Sequence, residues 1–149
     1  MFTNILVATD GSETADKALS LALALASHEG SRVRLTALLV APDYGLAGFA
    51  KASFASGQDV HHVRRELLAE GYRVLDAALV RHGTPAASVD RLVSLNDRPY
   101  EAIVAAAEQL SSDVIVMASH GRQAAASALL GSQTLKVLAL AKVPVLVAR

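Results

Sequence analysis

Five short apolar runs punctuate the chain, and between them the apolar spacing switches from every position, or every second one, to every third and fourth. Ile5-Leu6-Val7-Ala8-Thr9 is partly β-branched and ends in Asp10-Gly11-Ser12, as a buried strand entering a turn does. Ser12 is a candidate N-cap, and Ala15, Ala18, Leu19, Ala22 and Ala26 fall on one stripe, which predicts a helix of about thirteen residues. Arg32 to Val40 opens with strand alternation, becomes continuously apolar and stops before Pro42. From Pro42 to Gln58 glycines and isolated aromatics follow no period, which predicts a long surface loop. Asp59 can cap a helix whose apolar positions Val60, Val63, Leu67, Leu75, Ala78 and Leu79 run to about Arg81, with Gly71 weakening it locally. Ser88 to Ser94 offers a third strand. Pro99 suits the first position of a helix from Tyr100 to Leu110. Val114 to Met117 forms a fourth strand, Gln133 to Ala141 a last helix, and Pro144 to Ala148 a fifth strand.

Strands that alternate with helices imply right-handed crossovers. The expected fold is α/β: one domain, residues 1–149, with an open, mostly parallel five-stranded sheet and helices on both faces. In such sheets ligands sit outside the carboxyl ends of the strands, where strand order reverses. The loops after strands one and four therefore carry the candidate chemistry.

Composition narrows the partners. Fourteen basic residues balance fourteen acidic ones, which gives no electrostatic reason to expect nucleic acid or an anionic membrane. The absence of cysteine excludes disulfides and thiolate chemistry and agrees with a reducing cytosol. Met1 to Asn4 lacks the basic and apolar regions of a signal peptide, and the apolar stretch from Ala15 to Ala26 is too short to span a bilayer. A cytoplasmic location is expected. With three tyrosines, three phenylalanines and no tryptophan, the core must be built of Ala, Leu and Val.

The turn Thr9-Asp10-Gly11-Ser12 is neither a GxGxxG dinucleotide turn nor a GxxxxGK[ST] phosphate loop. A carboxylate there repels phosphate, so Asp10 reads either as an acceptor for ribose or base hydroxyls and amines or as a helix cap. After strand four, Ala118-Ser119-His120-Gly121 is followed by nine residues and then Gly131-Ser132 at the start of the last helix. Glycines admit a close phosphate, and a helix N-terminus presents free N–H groups to an anion; the bland alternative is a turn and an ordinary cap. His61 and His62 are adjacent on a helix, and no HExxH spacing occurs, so no protein metal site is expected. Ser119 beside His120 lacks a third partner and a GxSxG elbow, so no catalytic residue is assigned and no enzyme is expected.

Ile5-Leu6-Val7-Ala8-Thr9-Asp10-Gly11-Ser12 and Val114-Ile115-Val116-Met117-Ala118-Ser119-His120-Gly121 resemble the two hallmark segments of universal stress proteins, and Leu129 to Ser132 with Val143 to Val147 resembles the family's closing helix and strand. The resemblance implies strand order 3-2-1-4-5 and a stress-response protein that binds ATP, ADP or AMP, with Mg2+ as a counter-ion of the phosphates. It implies that Asp10 contacts ribose or adenine, that Val40 meets the base through its backbone, and that Ala8 and Thr9 line the same crevice. Met117, Ala118 and Ser119 belong to the motif, and Gly121, Gly131, Ser132 and Gln133 would hold the phosphates, with Arg122 a weaker candidate. The family motif is Gly, two residues, Gly, nine residues, Gly and Ser or Thr. Here Ala118 replaces its first glycine. The resemblance also implies a homodimer through the edge strand Val143 to Ala148. A nucleotide-free dimer acting purely as an interaction protein is the competing reading. Family resemblance alone extends to slow ATP loss or phosphorylation of Ser132 or Thr134.

Overall fold

The computed structural model describes residues 2–29, 33–85, 88–121 and 130–149. Its elements run β1 (Asn4–Ala8), α1 (Glu13–Glu29), β2 (Arg34–Ala41), α2 (Gly45–Ser56), α3 (Val60–Arg81), β3 (Asp90–Leu95), α4 (Pro99–Gln109), β4 (Val114–Ala118), α5 (Ser132–Leu140) and β5 (Val145–Ala148). The five strands form one sheet in the order β3-β2-β1-β4-β5, and every pair is parallel. Order reverses at β1, which pairs with β2 on one side and β4 on the other.

The apolar strands cover both faces of the sheet by alternation. Ile5, Val7, Leu35, Ala37, Leu39, Val114, Val116 and Ala118 enter the core beneath α1 and α3. Leu6, Leu38, Ile115 and Met117 enter the opposite core, with Ile103 and Ala106 of α4 and Val137 of α5. Ala15, Ala18 and Ala22 are buried on α1, where small side chains let the helix lie close to β1 and β4.

The central pair is pinned at its amino end. The Asp113 carboxylate accepts from the Thr3 N–H at 2.7 Å, the Thr3 hydroxyl at 2.9 Å and the Asn4 N–H at 3.2 Å, while Asp113 N–H donates to Asn4 O at 2.9 Å. Burial alone would push this carboxyl up, but the donors of Thr3 and Asn4 outweigh it and hold it below its ordinary value. These bonds fix where β1 and β4 start and so where both end.

Three sequence expectations need correction. The segment 42–58 is not a loop: it contains α2. Gly45 (φ 61°) and Gly57 (φ 68°) bracket this helix, and the Gly57 N–H closes it by donating to Ser53 O. Among its described side chains only Phe49 is buried, which leaves periodicity little to read. Phe49 is buried under Arg64 of α3, whereas Phe54, five residues on, is 93% exposed. The third strand begins at Asp90, opposite Thr36, rather than at Ser88, whose N–H and hydroxyl are both turned back onto Pro85 O. The helix after β1 spans 17 residues, longer than its apolar stripe suggests.

Gly71 is a requirement of packing and not a weak point. It is buried on α3, and a Cβ there would lie 2.6 Å from Val93 Cγ1 of β3. Gly71→Ala therefore gains helix propensity but overpacks the helix–sheet contact, and is expected to lower stability by about 1–3 kcal/mol in urea unfolding. Because the Asp113 carboxyl is held low, its stabilisation is complete above the unfolded value of about 4 and lost as pH falls through the folded value. The stability gap between wild type and Asp113→Asn should accordingly be open at pH 7 and narrow as pH falls through the lowered folded value, measured by chemical unfolding at each pH.

Candidate functional site

The carboxyl ends of β1, β2 and β4 frame a crevice on the α4/α5 side of the sheet. Its inner part is a slot of about 190 Å3 lined by Ala8, Thr9, Asp10, Leu38, Val40, Met117 and Gly121, closed by Pro99 and Ile103 of α4 and by Gln133 and Thr134 of α5. It continues into a trough between α3 and the start of α5, lined by Gly131, Ser132, Leu67 and Val74 among others.

On the β1 side the turn holds itself. Thr9 is buried, its N–H donates to Leu38 O and its hydroxyl oxygen accepts from Gly11 N–H. Asp10 Oδ1 accepts the N–H of Ser12 at 3.0 Å and its hydroxyl at 2.5 Å, while Ser12 Oγ accepts the Ala15 N–H at 3.2 Å. Ser12 is thus the cap of α1, and Asp10 orients that cap instead of being it. The other carboxylate oxygen faces Gly121 so closely that a Cβ at 121 would lie 3.2 Å from it. Glycine at 121 therefore lets the two loops meet across the switch point.

On the β4 side the Ser119 carbonyl accepts the Gly131 N–H at 2.7 Å and the Thr134 hydroxyl at 3.2 Å; Thr134 also reaches Ala118 O at 3.1 Å. A Cβ on Gly131 would stand 3.1 Å from Ser119 O, so the approach of α5 to β4 depends on glycine there. Gly131 is the N-cap of α5 and no side chain caps the helix, which leaves the first-turn N–H groups at Ser132, Gln133 and Thr134 beside the trough. Gln133 serves a second end: its Oε1 accepts the Tyr100 N–H at 3.1 Å in the first turn of α4.

Between these walls lies the end of β2. Pairing with β1 stops at Ala8 opposite Leu38, whose carbonyl takes the Thr9 N–H. Peptide groups alternate sides along a strand, so Val40 turns its N–H and C=O the same way as Leu38, past the last paired residue of β1. An edge with one donor and one acceptor can pair there as a further strand would.

Of the residues singled out in the sequence, Ala8, Thr9, Asp10, Val40, Met117, Ala118, Gly121 and Gln133 line the slot, and Gly131 and Ser132 line the trough beside it. Ser119 turns inward instead, its hydroxyl sharing a hydrogen bond with His120 Nδ1 at 3.0 Å. Arg122 and Leu129 lie outside the described residues. Ala118 shares its face of β4 with Val114 and Val116 and packs into the α1 core, on the other side of the sheet from the body of the slot. Pattern analysis missed Leu38, Pro99, Ile103 and Thr134. Pro99 is legible as a helix start but not as a lid, and Leu38 could have been found by its two-residue spacing from Val40. Among the described residues no three or more His, Cys, Asp or Glu side chains gather as a metal site.

The family model described as "Universal stress protein family" matches residues 1–149. The chain belongs to the universal stress protein family. It is 38% identical to the universal stress protein in the QAH/OAS sulfhydrylase 3′ region of Thermus aquaticus, all of each chain being covered. Among solved structures it is similar to universal stress protein UspA from Lactobacillus plantarum, at 26% identity and a TM-score of 0.68, with 99% of this chain and 97% of that one covered. A universal stress protein solved in complex with cAMP shares the fold at 23% identity and a TM-score of 0.64, with 99% of this chain and 97% of that one covered. The five-stranded parallel sheet with its helices is the α/β fold of these solved structures. Among the described residues no helix is long and apolar enough to cross a membrane.

Thr134 ties α5 to the end of β4 and is 2% exposed, its hydroxyl donating to the Ala118 and Ser119 carbonyls. Thr134→Val keeps the volume and removes the donor to two buried carbonyls, and should cost about 1–3 kcal/mol in thermal or urea unfolding.

Proposed function

We propose that this universal stress protein is one domain, residues 1–149, that binds an adenine nucleotide in the crevice and acts as a regulatory module in the cytoplasm, not as an enzyme. The observation that carries the reading is the exposed peptide edge of Val40 above an apolar slot, set between the Asp10 carboxylate and the uncapped start of α5. Leu38, Met117, Pro99 and Ile103 offer apolar faces to a flat ring, while the Val40 N–H and C=O offer one donor and one acceptor to its polar edge. Asp10 accepts hydrogen bonds from ribose hydroxyls. Ser132, Gln133 and Thr134 present N–H groups and the positive end of the α5 dipole to a phosphate. The slot alone is smaller than the roughly 300–1,000 Å3 typical of small-molecule sites, so slot and trough serve together. The complex of a fold relative with cAMP supports the adenine reading. ATP, ADP and AMP all carry the base, ribose and phosphate this arrangement addresses, and Mg2+ would enter with ATP, on the phosphates.

Dimerisation through Val143 to Ala148 belongs to the same proposal. β5 is an edge strand with an unpaired outer side, and Leu146 on it, with Leu135, Leu138 and Leu140 on α5, is exposed. A second copy that pairs along β5 would cover both. Light scattering at micromolar concentration should give twice the mass of the chain; a monomer would contradict it.

Nucleotide binding is tested by denaturing the purified protein and analysing the released small molecules by mass spectrometry, followed by calorimetry with AMP and Mg-ATP. Bound or titratable adenine nucleotide is expected, weakened about tenfold or more by Asp10→Ala, which removes a charged acceptor. No released nucleotide and no heat at millimolar ligand would favour the nucleotide-free interaction dimer. Ala118→Gly should leave the affinity within about twofold, because Ala118, although it borders the slot, belongs to the core cluster under α1.

A further inference from the structure

Slot and trough are one space: both are lined by Asp10, Val40, Pro99, Gly121, Gln133 and Thr134. The trough is the larger part, about 740 Å3 against about 190 Å3. The start of α5 lies along it, so a phosphate held on the Ser132 and Gln133 N–H groups would have the base behind it in the slot and the trough ahead. What the ligand carries beyond that phosphate must suit the far wall. That wall is aliphatic: Leu39, Ala41 and Pro42 from the end of β2, and Leu67, Gly71 and Val74 from α3.

Among the described residues this aliphatic wall is a poor place for more phosphate, whose oxygens lose water against it without gaining donors. It also suits a second nucleoside poorly, because no aromatic side chain stands among the described residues of the trough to stack on its base. It suits hydrocarbon. We infer that the preferred ligand is an adenosine 5′-phosphate whose phosphate is esterified to an aliphatic chain, the chain lying in the trough against Leu67 and Val74. Glu70, at the rim of the trough, is occupied by Arg73 (Nε to Oε2, 2.9 Å), which leaves the middle of the wall apolar.

This inference rests on the adenine-nucleotide reading above and deepens it. The test compares AMP with its methyl, butyl and hexyl phosphate esters by calorimetry, on wild type and on Leu67→Gln. Leu67 is only half-buried and Gln is a good helix former, so the variant should fold; the chain-length series on wild type stands without it. Affinity is expected to rise with chain length, to roughly tenfold above AMP for the hexyl ester, as burial of two or more methylenes provides. In Leu67→Gln the ratio of hexyl-ester to AMP affinity should shrink several-fold, whatever the change in AMP affinity itself. AMP binding with no gain from longer esters would overturn the aliphatic trough and leave the nucleotide site standing. An equal loss for AMP and the hexyl ester in Leu67→Gln would overturn it too. If neither AMP nor any ester binds, both readings fail together.

Discussion

The carbonyl oxygen of Ser119 is the fixed point of the site. It lies just past the end of β4 and accepts two donors from the next helix, the Gly131 N–H and the Thr134 hydroxyl, so the amino end of α5 is docked onto the strand it follows. The Ser119 N–H meanwhile donates to Ala148 O at 2.8 Å, which ties the same residue to the edge strand β5. One residue thereby sets where the helix terminus stands, how far it lies from Asp10 across the switch point and how β5 ends. Glycine at 131 is needed because the approach is so close. Asp113 does the complementary work at the other end of the central strands, by fixing their starts.

From that constraint the crevice follows with few further requirements. β1 ends at Ala8 and β2 continues to Ala41, so the peptide of Val40 overhangs its neighbour. Gly121 allows the loop after β4 to pass beside Asp10, and Gln133 caps α4 while α4 contributes Pro99 and Ile103 to the slot. The alternation of β4 sends Met117 toward the slot and Ala118 toward α1. The position at which this chain departs from the family's glycine pattern is therefore one whose side chain the core absorbs. Ala118 has no positive φ to accommodate, unlike Gly11 in the opposing turn.

Most of the fold was legible because its signals are local: apolar runs for β1, β2 and β4, a stripe of small residues for α1 and Pro99 for α4. The α2 helix was not, since its described side chains bury one phenylalanine and its ends are set by two positive-φ glycines rather than by a periodic stripe. Gly71 was misread for a related reason: its propensity cost is a property of the residue, but its benefit depends on Val93 in another element. Within the site, the loops that carry motifs were legible. Leu38, Ile103 and the lid role of Pro99 were not, because they reach the crevice only through tertiary packing. The division of labour between Ser12 as cap and Asp10 as its support also needed geometry, as both residue types cap helices equally well.

The central claim is that the overhanging peptide of Val40 and the first turn of α5 receive the same ligand. Backbone amide NMR during a titration with AMP tests it most directly. The account predicts that the amides of Val40, Ser132 and Gln133 shift together and saturate at one common affinity, with those of the β5 edge changing less. Saturation at a different surface, with these three amides unmoved, would contradict it.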